Sequence, residues 1–216
     1  CAEMLSGGVT CFNDMYFFPE AAAAAASELG MRAMLGITAL EFPTPYASDA
    51  DDYINKGLAV RENWLNHPLI GFCLAPHAPY TVADTTFERL VTLAAQLNTP
   101  VHCHFHETRH EIDESLRLHG LTPLARLQRL GLLGPGFIGV HGCHLEDDDL
   151  DRLATTGSSV AHCPTSNLKL ASGIAPVARM RQRGINVGLG TDGAASNNRL
   201  DMFGEMRLAA LLAKGS

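Results

Sequence analysis

The sequence predicts an α/β fold on one parallel sheet, a (β/α)8 TIM-type barrel present as about seven β/α units. Three observations carry that expectation. Short apolar, β-branched runs recur along the 216 residues, and amphipathic stretches of helical period separate them. The alternation of strand and helix implies parallel strands, because a parallel partner needs a crossover connection. Finally, the unusual polar residues cluster at the carboxyl ends of these runs, where a parallel barrel has its mouth.

The strands are expected at 9–14, 32–38, 69–75, 100–106, 137–142, 158–163 and 185–190. Helices are expected at 20–29, about 50–66, 84–97, 123–131, 146–156, 175–183 and 201–213. "EAAAAAASELG" at 20–30 is a strong helix former. Asp84–Glu88 and the acidic Glu146–Asp149 turn read as helix starts, since carboxylates suit the positive N-terminal end. A closed barrel needs eight strands and about 250 residues. A doubly wound sheet is the alternative, although no G-x-G-x-x-G follows any strand.

Composition narrows the function classes. Apolar residues make up 46% and charged residues 18%, with a net charge of −7, which fits a globular domain and argues against a broad nucleic-acid footprint. No apolar run is long enough to span a bilayer. The six cysteines, at 1, 11, 73, 103, 143 and 163, form no C-x-x-C pair. They read as free thiols of a reduced, cytoplasmic protein. "CAEMLSGGVTC" at the start reads as the tail of a helix entering a strand, so both ends of the sequence look cut.

His77 follows the third strand. His102, His104, His106 and Glu107, within "VHCHFHET", end the fourth. His141 ends the fifth, His162 the sixth and Asp192 the seventh. In a barrel these converge on one mouth, where imidazole and carboxylate donors suit a Zn²⁺ ion. Strand alternation places Val101, Cys103 and Phe105 toward the helices and His102, His104 and His106 toward the barrel interior. A single buried strand histidine is more often a hydrogen-bonded core residue than a ligand; the constellation, not any one ring, argues for a metal. In "GLGTDGAASNN", Asp192 at a strand exit offers a carboxylate ligand that can also accept a proton, or else a turn cap. The Pro/Ser/Asn/Gly-rich "HCPTSNLKLASG" at 162–173 reads mostly as turn chemistry.

The stretches "APHAPYT", "HFHETRHEI", "GVHGCHL", "HCPTSNLKLASGIAPV" and "GLGTDGAASNNRLDMFGEMRLA" together resemble the amidohydrolase superfamily. Within it, the likeness is to 5-methylthioadenosine/S-adenosylhomocysteine deaminases and their s-triazine and chlorohydrolase relatives. The resemblance implies a metal-dependent hydrolase barrel using one Zn²⁺ per subunit, with Fe²⁺ as the alternative. Its H-x-x-E element falls on His104 and Glu107. His104 and Asp192 then resemble metal ligands, and Glu107 the acid that protonates a purine ring nitrogen. His141 resembles the histidine that orients the attacking water. Asp192 doubles as proton acceptor. His77, with Glu107 and Asp192, resembles a substrate contact.

The implied reaction is hydrolytic deamination of an adenine nucleoside to its inosine analogue and ammonia. The implied partners are a small purine nucleoside and a second copy of the chain in a homo-oligomer, with no nucleic acid and no membrane. The H-x-H ligand pair of the family's first barrel strand is not found upstream of Cys1, nor is the family's small β-domain. Residues 1–216 therefore read as a single, incomplete catalytic barrel domain. Some relatives carry an Arg after the strand at 32–38, where this sequence has Ile37, Thr38, Ala39 and Leu40; that favours methylthioadenosine or adenosine over S-adenosylhomocysteine. The competing expectations are a hydrolase of s-triazine or guanine-like rings, and an inactive remnant lacking the H-x-H ligands.

Overall fold

The computed structural model describes residues 1–215. Seven strands form one sheet in strict sequence order: β1 (Cys11–Asp14), β2 (Arg32–Ala39), β3 (Ile70–Pro76), β4 (Val101–Phe105), β5 (Phe137–His141), β6 (Ser159–His162) and β7 (Asn186–Leu189). Every neighbouring pair is parallel. A doubly wound sheet reverses its strand order at a switch point; this one never does, so it is a curled barrel wall. Among the described residues β1 and β7 do not pair. Their surroundings are instead tied by Met202 N–H to the Gly7 carbonyl at 2.8 Å and Leu200 N–H to Glu3 Oε1 at 3.1 Å.

The helices are α1 (Ala2–Ser6), α2 (Pro19–Glu28), α3 (Ala50–Asn63), α4 (Asp84–Leu97), α5 (Arg109–His119), α6 (Pro123–Arg129), α7 (Asp147–Thr156), α8 (Pro164–Lys169), α9 (Val177–Gln182) and α10 (Met202–Gly215). Two were not expected. α5 buries only Glu111, Ile112 and Ser115, too narrow a stripe for the apolar period to stand out. α8 is six residues long and opens on Pro164, so its Pro, Thr, Ser and Asn read as a turn.

Glu146 caps α7 in a reciprocal box with Asp149. The helix α4 opens at Asp84 as expected, with that carboxylate in its first turn. Glu41, from the loop after β2, accepts from Ala83 N–H at 2.9 Å and Thr86 Oγ1 at 2.7 Å, while Asp84 pairs with Arg126 and Arg129. Side-chain caps are supplied by Asp49 for α3, Thr108 for α5 and Thr122 for α6.

The core lies between sheet and helices. Leu35 and Ile37 of β2, Leu74 of β3, Phe105 of β4 and Phe137 of β5 pack with Ile54, Phe87, Leu90, Leu124, Leu127, Leu150 and Leu153 from the helices. Val101, Cys103 and Phe105 face this layer as expected and are buried. Gly139 on β5 leaves the space that the Phe105 ring fills; a Cβ there would overlap the ring. Among the described residues no helix is long and apolar enough to cross a membrane, and all six cysteines are unpaired.

Candidate active site

The carboxyl ends of β4, β5 and β7 bring His104, Glu107, His141 and Asp192 together. His104, on the interior face of β4, donates from Nδ1 to the His77 carbonyl at 2.8 Å; the same carbonyl accepts His104 N–H at 3.1 Å. A proton held on Nδ1 leaves Nε2 with its lone pair. The His104 ring stacks on His141 with centroids 5.3 Å apart and planes 23° apart. His141 Nδ1 lies 2.8 Å from Asn167 Oδ1, and its Nε2 faces Glu107 Oε2 at 3.8 Å and Asp192 Oδ2 at 4.0 Å. Residues 104 and 192, 88 positions apart in the sequence, thus meet across one imidazole.

The backbone at this mouth is bent to suit. His106, His141 and Asp192 all have positive φ, at 49°, 77° and 59°, a region that non-glycine residues seldom occupy and that concentrates at functional sites. The bend corrects one expectation. His106 lies one residue beyond β4, and its left-handed conformation ends the alternation, so its ring turns away from the interior. It is fully buried, accepts Leu124 N–H on Nε2 at 3.1 Å and bonds the His144 carbonyl through Nδ1 at 3.1 Å. Both nitrogens are occupied, and no lone pair remains for an ion.

The other expected residues divide. His77 reaches the mouth, with Nδ1 at 2.9 Å from Thr81 Oγ1 and its ring edge-on to His104 and to Tyr80. His102 and His162 are buried, and the Nδ1 of each has no partner among the described residues. Sequence reasoning missed Glu111, whose carboxylate accepts both His106 N–H at 3.1 Å and Glu107 N–H at 2.9 Å. It also missed Ser166, Asn167 and Ser172.

Electrostatics favour neutral rings beside an ionised acid. Burial, reinforced by His141, His77 and His102, pushes His104 down to about 3. Burial and then His141 push His102 and His162 down to about 4. Burial likewise lowers His77, against the pull of Glu107. For Asp192 burial acts upward, yet the Ser166 hydroxyl, the Gly193 N–H and the His141 and His104 rings hold its carboxyl below the usual carboxylate range. Burial lifts Glu111 to about 7 despite its two backbone donors.

A neutral imidazole with a free Nε2 and an ionised carboxylate nearby are the donor types a divalent transition metal takes. The fixed Nδ1–H to carbonyl bond of His104 is the support that orients a ligating histidine. Among the described residues no three His, Cys, Asp or Glu groups gather tightly enough to hold an ion by themselves. His104 and Asp192 are two donors of these types at one mouth.

The model of the Amidohydrolase family matches residues 1–216. A 5-methylthioadenosine/S-adenosylhomocysteine deaminase of Saccharophagus degradans is 50% identical over 214 residues, covering 99% of this chain and 48% of the relative. An adenosine deaminase from Xanthomonas campestris, solved with bound zinc, superposes with a TM-score of 0.96 at 48% identity, over 99% of this chain and 49% of that one. The zinc complex of atrazine chlorohydrolase from Arthrobacter aurescens superposes with a TM-score of 0.89 at 25% identity, over 97% of this chain and 51% of that one. The chain spans about half the length of the curated relatives it matches. A parallel barrel wall with histidines and an aspartate converging at its mouth, matched by the family model from end to end, identifies the chain as a member of the amidohydrolase family.

Proposed function

We propose that the protein to which this chain belongs is a zinc-dependent aminohydrolase that deaminates adenine nucleosides, with 5′-methylthioadenosine or adenosine as substrate. The observation that carries this reading is the convergence of His104, Glu107, His141 and Asp192 on one mouth, with His104 Nε2 left open. The likeness to deaminases at 50% and 48% identity supports it.

His104 and Asp192 would hold the cation, with the remaining ligands supplied from outside residues 1–216. A bound zinc ion supplies Lewis-acid activation that lowers the pKa of a coordinated water from about 16 to near 7. The chain's own residues manage the protons. Asp192, with His141 Nε2 beside it, would accept the proton of the attacking water and return it to the departing amine, which leaves as ammonia. Glu107 holds a proton for the ring nitrogen beside the amine-bearing carbon, and its addition prepares ammonia to leave. His77 and Tyr80 border the same opening and would contact the nucleoside. Residues 37–40 carry no cationic side chain, which favours substrates without an amino-acid tail. A homo-oligomer in the cytoplasm is the proposed setting.

The test is ammonia release by the full-length protein reconstituted with zinc. The expected result is turnover of methylthioadenosine or adenosine above S-adenosylhomocysteine. Turnover confined to triazine or guanine-like rings would favour the chlorohydrolase-like reading instead, and no release from any of these would overturn both.

A further inference from the structure

The segment from Pro164 to Gly173 promises only a turn in sequence, yet its polar side chains behave otherwise. Ser166, Asn167 and Ser172 are exposed by only 0%, 1% and 5%. Turn-forming Ser and Asn normally bond their own backbone within two or three residues. None of these three does. Ser166 Oγ donates to Asp192 Oδ2 at 2.5 Å, Asn167 Oδ1 accepts from His141 Nδ1 at 2.8 Å, and Ser172 Oγ donates to Glu107 Oε1 at 3.0 Å. The partners lie 26, 26 and 65 residues away. One short piece of chain touches the ends of three different strands.

The segment is itself anchored. Asn167 N–H bonds the Cys163 carbonyl at 3.0 Å, and Ser172 N–H bonds the Asn167 carbonyl at 2.8 Å. Thr165 N–H donates to the buried Glu205 at 3.1 Å. Glu205 in turn accepts from Asn197 Nδ2 at 2.6 Å, and Asn197 donates to the Thr191 carbonyl next to Asp192. Lys169 ties the outer side to the Ala195 carbonyl and Asn198. The frame is therefore braced against the same loop that carries Asp192.

We propose that Ser166, Asn167 and Ser172 are positioning residues that set the orientation of Asp192, His141 and Glu107 for the reaction. This rests on the roles given to those three under Proposed function. Asn167 has the most specific task. With Oδ1 accepting, His141 Nδ1 must carry the bridging proton, and Nε2 is the nitrogen turned toward Glu107 and Asp192. Asn167 Nδ2 is buried without a partner among the described residues, so the amide is committed to His141 through Oδ1 alone. Ser166 and the Gly193 N–H each hold one oxygen of Asp192, which fixes the plane of that carboxylate. Ser172 does the same for one oxygen of Glu107 and leaves the other facing His141.

The test compares Ser166→Ala, Asn167→Leu, Ser172→Ala and the hydroxyl-keeping Ser172→Thr in the full-length protein. Steady-state kinetics, zinc affinity, thermal midpoint and the imidazole nitrogen chemical shifts of His141 are measured for each. Asn167→Leu is expected to lower kcat about 10–100-fold with KM little changed, and to abolish the Nδ1–H signature of His141. Ser166→Ala is expected to weaken zinc binding about tenfold. Ser172→Ala is expected to lower kcat, and Ser172→Thr to recover most of it. The proposal is overturned if His141 keeps its tautomer in Asn167→Leu, or if the kinetic losses merely follow the thermal midpoints and threonine fails to rescue. Failure of the unmodified protein to release ammonia would refute the deaminase reading alone, because the His141 shifts and zinc affinity still decide the positioning claim.

Discussion

The barrel mouth and the layer directly behind it contain the same kinds of residue, and they differ in how fully those residues are satisfied. Behind the mouth, His106 uses both ring nitrogens, Glu111 takes two backbone N–H groups, and Arg126 is spent on Asp84 and on the Pro79 and Val82 carbonyls. In the mouth, His104 Nε2 makes no hydrogen bond within the described chain, and His141 Nε2 stands 3.8 and 4.0 Å from two carboxylates without bonding either. Histidines two residues apart thus serve opposite ends. Saturated polar groups hold a fold together, whereas unsaturated ones held in place are free to act on something else.

Substitutions on each side of that boundary sharpen the contrast. The largest effect is expected in the mouth. Under the role proposed for Glu107, Glu107→Gln should lower kcat of the full-length protein about 10²–10⁴-fold, with zinc content and thermal midpoint nearly unchanged. His104→Ala should cost more zinc affinity than the roughly 100-fold lost with a supporting contact, read by competitive chelation. A midpoint that collapses in either variant would break the comparison.

Behind the mouth the outcome should invert. His106→Leu strands the buried Leu124 N–H, whose loss of a partner costs about 1–3 kcal/mol, and frees the half-buried His144 carbonyl. For a chain of this size each kcal/mol lowers the midpoint by about 2–4 °C. Activity per folded molecule should stay close to the parent's, so calorimetry and titrated kinetics on one preparation decide the matter. A specific loss of kcat with an intact midpoint would return His106 to the site.

The smallest effect concerns His162, which burial and His141 push down to about 4. In the unfolded chain the ring takes up a proton near 6.5. Between about 4 and 6.5 the unfolded state therefore binds more protons, so stability is complete above that window and is lost as the pH falls through it. His162→Gln in metal-free protein should reduce the fall in midpoint on acidification, by at most about 1.4 kcal/mol per pH unit. An unchanged acid slope would show that His162 finds a partner for its proton.

Much of this was legible in the sequence, and the failures share a cause. All seven strands lie within two residues of the expected bounds, because apolar, β-branched runs report burial on a sheet directly. The convergence of His104, Glu107, His141 and Asp192 also followed, since a parallel barrel sends every strand end to one mouth. His106 was misplaced because alternation holds only while the strand lasts, and β4 ends at Phe105. The Asp84 signal did mark the start of α4, but nothing local reveals that its carboxylate pairs with Arg126 and Arg129. Ser166, Asn167 and Ser172 looked like a turn because their partners are 26 and 65 residues distant. Local pattern carries local structure; long-range polar pairing is fixed only when the chain has folded.

The carbonyl of His77 is the atom that orients the ring of His104. A main-chain oxygen is common to all amino acids, so whichever side chain occupies position 77, that anchor persists. What the 77 side chain contacts is thereby uncoupled from how the His104 ring is held. Under the roles proposed above, the side chain at 77 could be exchanged for one suited to a different ring or sugar while the orientation of the His104 ring stayed the same.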